Sequence, residues 1–112
     1  MEQGWKDVGS AEELSKVAVQ EVRVGEATLA LTCRDGVFGA ISGTCIHVGG
    51  PLGQGTLEGD LVVCPWHNWK FHRLSGQGAL AGSRVAHHAV KVEKGRVLLK
   101  ILRGTWHASG PP

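Results

Sequence analysis

The segment Cys45–Gln77 reads CIHVGGPLGQGTLEGDLVVCPWHNWKFHRLSGQ and contains two short pairs of metal-binding side chains. The first pair is Cys45 and His47, the second is Cys64 and His67, and 16 residues separate the pairs. Cysteine thiolates and neutral imidazoles are the side chains that bind soft or borderline transition metals. Because each pair follows a strand-like stretch, hairpin ends would direct the four side chains towards one point. The pattern C-x-H…C-x-x-H therefore predicts a metal site built from these four residues.

Two kinds of metal fit two thiolates and two imidazoles. A structural zinc finger usually pairs Cys with Cys and His with His, and keeps its histidines on a helix. Here each pair mixes one Cys with one His, and no helical pattern surrounds either histidine. A binuclear iron–sulfur cluster, with both thiolates on one iron and both imidazoles on the other, uses the same donors. The pattern favours iron, and zinc remains the alternative.

The flanks of the ligands lengthen the pattern. The motifs CxHxGGPL and CPWHxWKF, at this spacing, resemble the cluster-binding region of Rieske-type [2Fe–2S] ferredoxins. The resemblance implies one [2Fe–2S] cluster, with Cys45 and Cys64 on the buried iron and His47 and His67 on the outer iron. It also implies the Rieske fold, in which a loop-rich cluster-binding subdomain is inserted into antiparallel β-sheets.

The rest of the chain favours an all-β fold. Its 17 Gly residues punctuate short apolar runs, as in turn-rich β proteins. Alternating apolar residues predict strands, with an irregularity in the first near Gln20-Glu21; the strands are Val17–Val24, Ala27–Cys33, Val37–Ser42, Leu61–Cys64, Trp69–His72, Val85–Val92 and Arg96–Leu102. Asp35-Gly36 and Lys94-Gly95 are predicted turns, and Ser10–Leu14 is a predicted helical turn with Ser10 as its N-cap.

The length of 112 residues predicts one domain. We expect a base at about residues 1–42 and 83–104, and the cluster-binding subdomain at about residues 43–82. Basic residues are dispersed and the net charge is +2, so nothing indicates a nucleic-acid partner. No apolar run is long enough to cross a membrane, and the polar N-terminus does not resemble a signal peptide. An odd number of cysteines without a signal peptide indicates metal binding in the reducing cytoplasm.

Residues beside the ligands suggest how the site is tuned. Gly49-Gly50-Pro51 lets backbone N–H groups approach the cluster sulfurs, or serves as a simple turn. Trp66 and Trp69 either shield the cluster or form a docking surface, and packing is expected for at least one. The high-potential respiratory branch of the family has an extra Cys in each ligand loop, a Ser where Trp69 stands here, and a nearby Tyr. This chain has none of these, which predicts a low-potential centre.

Other candidate residues carry weaker signals. Cys33 is expected to be a buried small hydrophobic side chain. His72 is expected at the surface, and His87-His88 are expected to point to opposite faces of a strand. Asn68 follows His67 where the family commonly has Gly, and Asn tolerates the left-handed conformation better than most residues.

The resemblance implies a small soluble one-electron carrier rather than an enzyme. Its expected partners are a reductase and a terminal oxygenase or similar acceptor, which dock transiently around His47, His67 and Trp66. Lys70 and Arg73 either favour an acidic partner or are solvated surface charges. Two alternatives stay open. One is a Rieske-like small subunit of a multi-component enzyme such as nitrite reductase, and the other is an interaction module whose fold is stabilised by a structural zinc ion.

Overall fold

The computed structural model of the protein describes residues 4–44, 50–66, 68–79 and 82–102. Within these ranges, a 3₁₀ turn at Leu52–Gln54 and one short helix accompany nine strands. The elements are β1 (Trp5–Ser10), α1 (Ala11–Leu14), β2 (Val19–Val24), β3 (Ala27–Arg34), β4 (Val37–Ser42), β5 (Thr56–Glu58), β6 (Leu61–Val63), β7 (Lys70–His72), β8 (His87–Glu93) and β9 (Arg96–Lys100). In this part of the chain, no helix is long and apolar enough to span a membrane.

The strands form two antiparallel sheets, which confirms the all-β prediction. Six strands form a large sheet in the order β1-β9-β8-β4-β3-β2, and the other three form a small sheet in the order β5-β6-β7. The small sheet and the 3₁₀ turn lie between β4 and β8 in the sequence, so both belong to one continuous segment that is inserted between two strands of the large sheet.

Two tight turns set the register of the large sheet. Asp35 and Gly36 join β3 to β4 with φ values of 54° and 80°, and Lys94 and Gly95 join β8 to β9 with 53° and 77°. Positive φ at both central residues is the type I′ geometry, whose twist matches that of the flanking strands. Both predicted turns are confirmed, as is the cap of α1, where the Ser10 hydroxyl accepts a hydrogen bond from the Glu13 N–H at 3.4 Å.

One local prediction is wrong, and two strands were missed. β2 pairs with β3 in continuous register through Gln20 and Glu21, so the expected irregularity is absent there. β1 and β5 are strands that the sequence analysis did not predict. The register of β1 against β9 shifts between Asp7 and Gly9, and this bulge interrupts the apolar alternation that would have indicated a strand.

The large sheet is buried on both faces at β3 and β4. Leu29, Leu31 and Ala40 enter one core, together with Val97 and Leu99 of β9. The intervening residues of β3 and β4 enter a second core between the two sheets, which comprises Ala30, Ile41, Leu52, Val62, Cys64, Phe71 and Val85. This second core fixes the small sheet against the large one, and it includes one predicted metal ligand.

A buried arginine adds a polar connection between the sheets. Arg73, which follows β7, is 3% exposed. Its guanidinium donates to the backbone oxygen of Val37 at 2.8 Å, the Thr32 hydroxyl at 3.3 Å and the Asp60 carboxylate at 3.0 Å. Asp60 also accepts from Arg34 at 3.1 Å, and the hydrogen bond from Arg73 is the main reason that the pKa of Asp60 lies below its usual value. The end of the small sheet that contains the β5–β6 turn is thereby anchored to the β3–β4 hairpin.

Candidate metal centre

The first predicted ligand pair lies in a loop whose two ends are held together. Cys45 and His47 are outside the described residues, but the residues on either side are described. Thr44 and Pro51 form an antiparallel bridge, and the Leu52 N–H donates to the Gly43 oxygen at 2.9 Å. The loop therefore leaves β4 and returns to the point where it began.

The second predicted pair lies in the tight loop between β6 and β7. The Cys64 N–H donates to the Trp69 oxygen at 2.7 Å, and the Asn68 N–H donates to the Cys64 oxygen at 3.0 Å. Asn68 adopts a left-handed conformation with φ of 59°, which Asn tolerates better than most residues. His67 is outside the described residues.

The two loops meet at Gly50. A methyl group added to Gly50 would lie 2.7 Å from Cys64 Sγ and 3.3 Å from two carbon atoms of the Trp66 ring. Such a distance to sulfur is closer than side-chain carbons approach, so only glycine fits here without a shift. The residue that ends the first loop is thus in contact with a predicted ligand of the second.

The residues present fit a [2Fe–2S] cluster. Cys64 is fully buried with a free thiol, and its Sγ lies beside Gly50 of the first loop. The first loop contributes another cysteine and a histidine in sequence, and the second loop contributes a histidine. Of the four predicted ligands the structure describes Cys64 alone, and the described residues contain no group of three or more His, Cys, Asp or Glu that could hold a metal ion.

The two tryptophans of the second loop have different environments. Trp69 is half-buried and packs against the core between the sheets, so the expectation of packing for at least one tryptophan is confirmed. Trp66 is 58% exposed, although its ring also lies against Gly50. Trp66 therefore covers part of the site and still presents an aromatic surface to solvent.

Neither expectation for Arg73 agrees with the structure. Arg73 is an interior anchor, because it is buried and bonded to Asp60, Thr32 and Val37. Sequence reasoning missed this role because these partners are distant along the chain. Lys70 forms an ion pair with Glu58 at 2.8 Å, within the same small sheet.

The remaining candidates have structural roles. Cys33 is buried with a free thiol, as expected. His72 is half-buried rather than at the surface, and its Nδ1 accepts hydrogen bonds from the N–H groups of Leu74 and Ser75. His88 Nδ1 accepts from the Leu102 N–H at 3.0 Å, and burial lowers the pKa of His88, with a smaller contribution from His87.

Comparison with known proteins places these features in a family. Residues 4–86 match the Rieske [2Fe–2S] domain family. The ferredoxin CarAc of Metapseudomonas resinovorans is 34% identical over 94 residues, which are 83% of this chain and 88% of the relative. The ferredoxin component of the naphthalene 1,2-dioxygenase/salicylate 5-hydroxylase systems of a Ralstonia species is 28% identical over 103 residues, 90% of this chain and 99% of the relative.

Solved structures agree on the fold. A chain in the complex of reduced oxygenase and oxidized ferredoxin of carbazole 1,9a-dioxygenase superimposes with a TM-score of 0.78 at 31% identity, over 88% of this chain and 94% of that one. A putative NADH-dependent nitrite reductase small subunit from Mycobacterium tuberculosis gives a TM-score of 0.80 at 17% identity, over 88% and 95% of the two chains, a likeness of fold alone. Since the family match spans most of the chain and the 34% identical ferredoxin is aligned over most of its own length, this protein belongs to the Rieske [2Fe–2S] domain family.

Proposed function

We propose that this protein is a one-electron carrier that takes electrons from a reductase and passes them to a terminal oxygenase. In this proposal Cys45, His47, Cys64 and His67 hold one [2Fe–2S] cluster, with the thiolates on one iron and the imidazoles on the other. When bound, such a cluster supplies reversible one-electron oxidation and reduction, at a potential set by its ligands and hydrogen bonds. The protein is a component of an electron-transfer system rather than an enzyme.

The observation that carries the proposal is the contact at Gly50. The residue that ends the first loop lies against Cys64 Sγ, so the C-x-H and C-x-x-H motifs belong to neighbouring loops. Two ligand pairs that are separated by 16 residues in sequence can then share one binuclear centre. This arrangement favours a shared cluster over two separate ligand pairs.

The surrounding residues serve electron transfer in complementary ways. Cys64 lies in the core between the sheets, which keeps water from its thiolate. Trp66 is exposed beside the same thiolate, so a partner protein that touches its indole ring comes close to the site. Docking at this edge fits the small, transient interfaces of redox partners.

We also propose the division of the chain into a base, at about residues 1–42 and 83–104, and a cluster-binding subdomain at about residues 43–82. Supporting this division, the large sheet uses β1–β4, β8 and β9, while the small sheet lies wholly between β4 and β8. We assign the protein to the cytoplasm, where thiol ligands stay reduced.

A fixed small subunit of a nitrite reductase has the same fold, but the resemblance to such a subunit is at 17% identity. The ferredoxin CarAc and the naphthalene dioxygenase ferredoxin component align with this chain over 88% and 99% of their own length at 34% and 28% identity, and these favour the carrier. Stable co-purification with a large enzyme subunit would support the alternative.

Two matched cysteine variants test the proposal. Cys64→Ser and Cys33→Ser each replace a buried free thiol, but only Cys64 lies at the proposed site. Wild type and Cys33→Ser should bind iron and acid-labile sulfide and should accept one electron per chain in an anaerobic titration. Cys64→Ser should lose both properties. Zinc in the wild type, or an unchanged Cys64→Ser variant, would overturn the proposal.

A further inference from the structure

Three stretches in and around the proposed cluster-binding subdomain contain none of the chain's 12 Lys and Arg or 10 Asp and Glu residues. They are residues 43–57, residues 61–69 and residues 74–83. The first two contain the four proposed ligands, and the third follows β7. All formal charges are therefore confined to the rest of the molecule.

The fold brings described residues of all three stretches, among them Gly50, Trp66 and Ala79, to one end of the small sheet. Gly50 of the first stretch contacts Cys64 and Trp66 of the second. The third stretch runs antiparallel to β7, because Gly78 is bridged to Phe71 and the Ala79 N–H donates to the Lys70 oxygen at 2.9 Å. Ala79 therefore lies at the end of β7 from which the Cys64–Trp69 loop emerges.

Two groups of charged residues at the small sheet are held away from this end. Lys70 pairs with Val63, the last residue of β6 before the Cys64–Trp69 loop. Glu58 pairs with Leu61, at the opposite end of β6. The ion pair between Lys70 and Glu58 draws the ammonium group back along the sheet. Asp60 and its partners Arg34 and Arg73 lie at the opposite end of the small sheet, by the β5–β6 turn.

The described residues that are exposed here are apolar or neutral. Pro65, Trp66, Asn68 and Ala79 are exposed, and Trp66 has the largest exposed fraction among the large apolar side chains described. We call these four residues the uncharged face. An exposed aromatic ring without surrounding charge has the character of an interface centre, where charged residues are depleted and aromatic residues are enriched.

We propose that the uncharged face docks a redox partner by apolar contact centred on Trp66, and that the partner presents an uncharged, apolar recess around its own redox centre. This inference rests on the proposed carrier function. Charge complementarity argues for such a partner. Charged residues opposite a face without charges would lose their hydration on docking and would form no ion pair to compensate for it. The indole ring would supply contact area at a low cost in side-chain entropy.

Two cobalt(III) complexes of equal charge provide the probes. Hexaamminecobalt(III) has a hydrophilic shell, whereas tris(1,10-phenanthroline)cobalt(III) has an apolar aromatic shell. In stopped-flow experiments each complex takes one electron from one dithionite-reduced chain and becomes cobalt(II). Because the charges match, electrostatic effects cancel in the ratio of the two rate constants.

Trp66→Ser should lower the rate with the phenanthroline complex at least about threefold, while the rate with the hexaammine complex changes by less than about twofold. Val92→Ser is the control, since Val92 is also an exposed apolar residue but lies in β8 near the β8–β9 turn. Trp66→Lys should add a repulsion of both cations that salt relieves, and Val92→Lys should add much less.

Equal effects of Trp66→Ser on both oxidants, or no effect on either, would overturn the apolar docking surface and leave the carrier function intact. A protein that dithionite does not reduce would instead contradict the carrier function itself, and the inference with it.

Discussion

Gly50 is the residue on which the meeting of the two ligand loops depends. In Gly50→Ala, the added methyl group would lie 2.7 Å from Cys64 Sγ, so either the thiol or the first loop must move. Because metal sites need their donors in a fixed arrangement, we expect the iron content of the purified variant to fall below about half that of the wild type. Iron analysis and the visible spectrum measure this directly.

Gly25→Ala is the control for this substitution. Gly25 has φ of +63° and open space around its Cα, so alanine there strains the backbone without touching the site. It should lower the stability by about 1 kcal/mol and leave the iron content unchanged. Full iron content in Gly50→Ala would show that the loops do not depend on this contact.

His88 makes stability depend on pH. Burial, aided by the charge of His87, lowers the pKa of His88 below its usual 6.5, so the unfolded chain binds this proton more readily than the folded one. The stability contributed by neutral His88 is therefore fully present above pH 6.5 and declines as the pH falls towards the lowered pKa. His88→Asn keeps an acceptor for the Leu102 N–H but does not titrate.

The measurement is the melting temperature of each protein at about pH 7.5 and about pH 5.5. The decrease on acidification should be smaller in His88→Asn than in the wild type. An equal decrease in both proteins would place the acid sensitivity at other groups.

At the scale of the elements, the β6–β7 hairpin is held at two places. Its buried side chains pack in the core between the sheets, and Arg73 anchors its open end, next to the β5–β6 turn, to β3 and β4. Arg73→Met would leave the Val37 oxygen without this donor and remove the ion pair to Asp60. We expect a loss of about 2 to 3 kcal/mol in the free energy of unfolding.

Arg34→Met is the matched control because Arg34 pairs with the same carboxylate, but its side chain is 46% exposed. Such a surface pair contributes about 0 to 1 kcal/mol. Chemical denaturation of both variants separates the two cases. Equal losses would mean that the buried contacts of Arg73 do not stabilise the joint between the sheets.

The elements that the sequence predicts well are those with local signals. β3 and β4 have near-continuous apolar runs and a two-residue turn, so both strands and the turn are predicted with bounds that agree with the structure to within one residue. β1 and β5 lack such signals, because β1 contains a bulge and β5 has only three residues. Both strands exist through pairing with distant or neighbouring strands, a tertiary effect that local patterns do not contain.

The same contrast applies to the candidate site. The ligand pairs and the left-handed Asn68 can be inferred from residue types and spacing. The contact of Gly50 with Cys64 and the burial of Arg73 cannot, because each depends on how separate segments pack together. Sequence reasoning therefore proposes the donors, whereas the structure shows how the ends of their loops are held.

At the scale of the whole molecule, the cluster should have a low reduction potential. Hydrogen bonds to a cluster and its ligands raise the potential by stabilising the added electron. The chain contains no Tyr, and Trp69 packs against the core instead of offering a hydroxyl group. We expect a midpoint in the lower half of the range from about −150 to about +300 mV that Rieske centres cover. A redox titration that places it in the upper half would contradict this explanation.

The central claim is that two cysteines and two histidines of this chain share one binuclear iron–sulfur centre. Its most direct test is the low-temperature EPR spectrum of the dithionite-reduced protein, recorded with a metal analysis of the same sample. Mixed ligation by Cys and His predicts a rhombic signal with a low average g value. A silent spectrum from protein that holds zinc, or that holds no metal after anaerobic iron–sulfur reconstitution, would contradict the account.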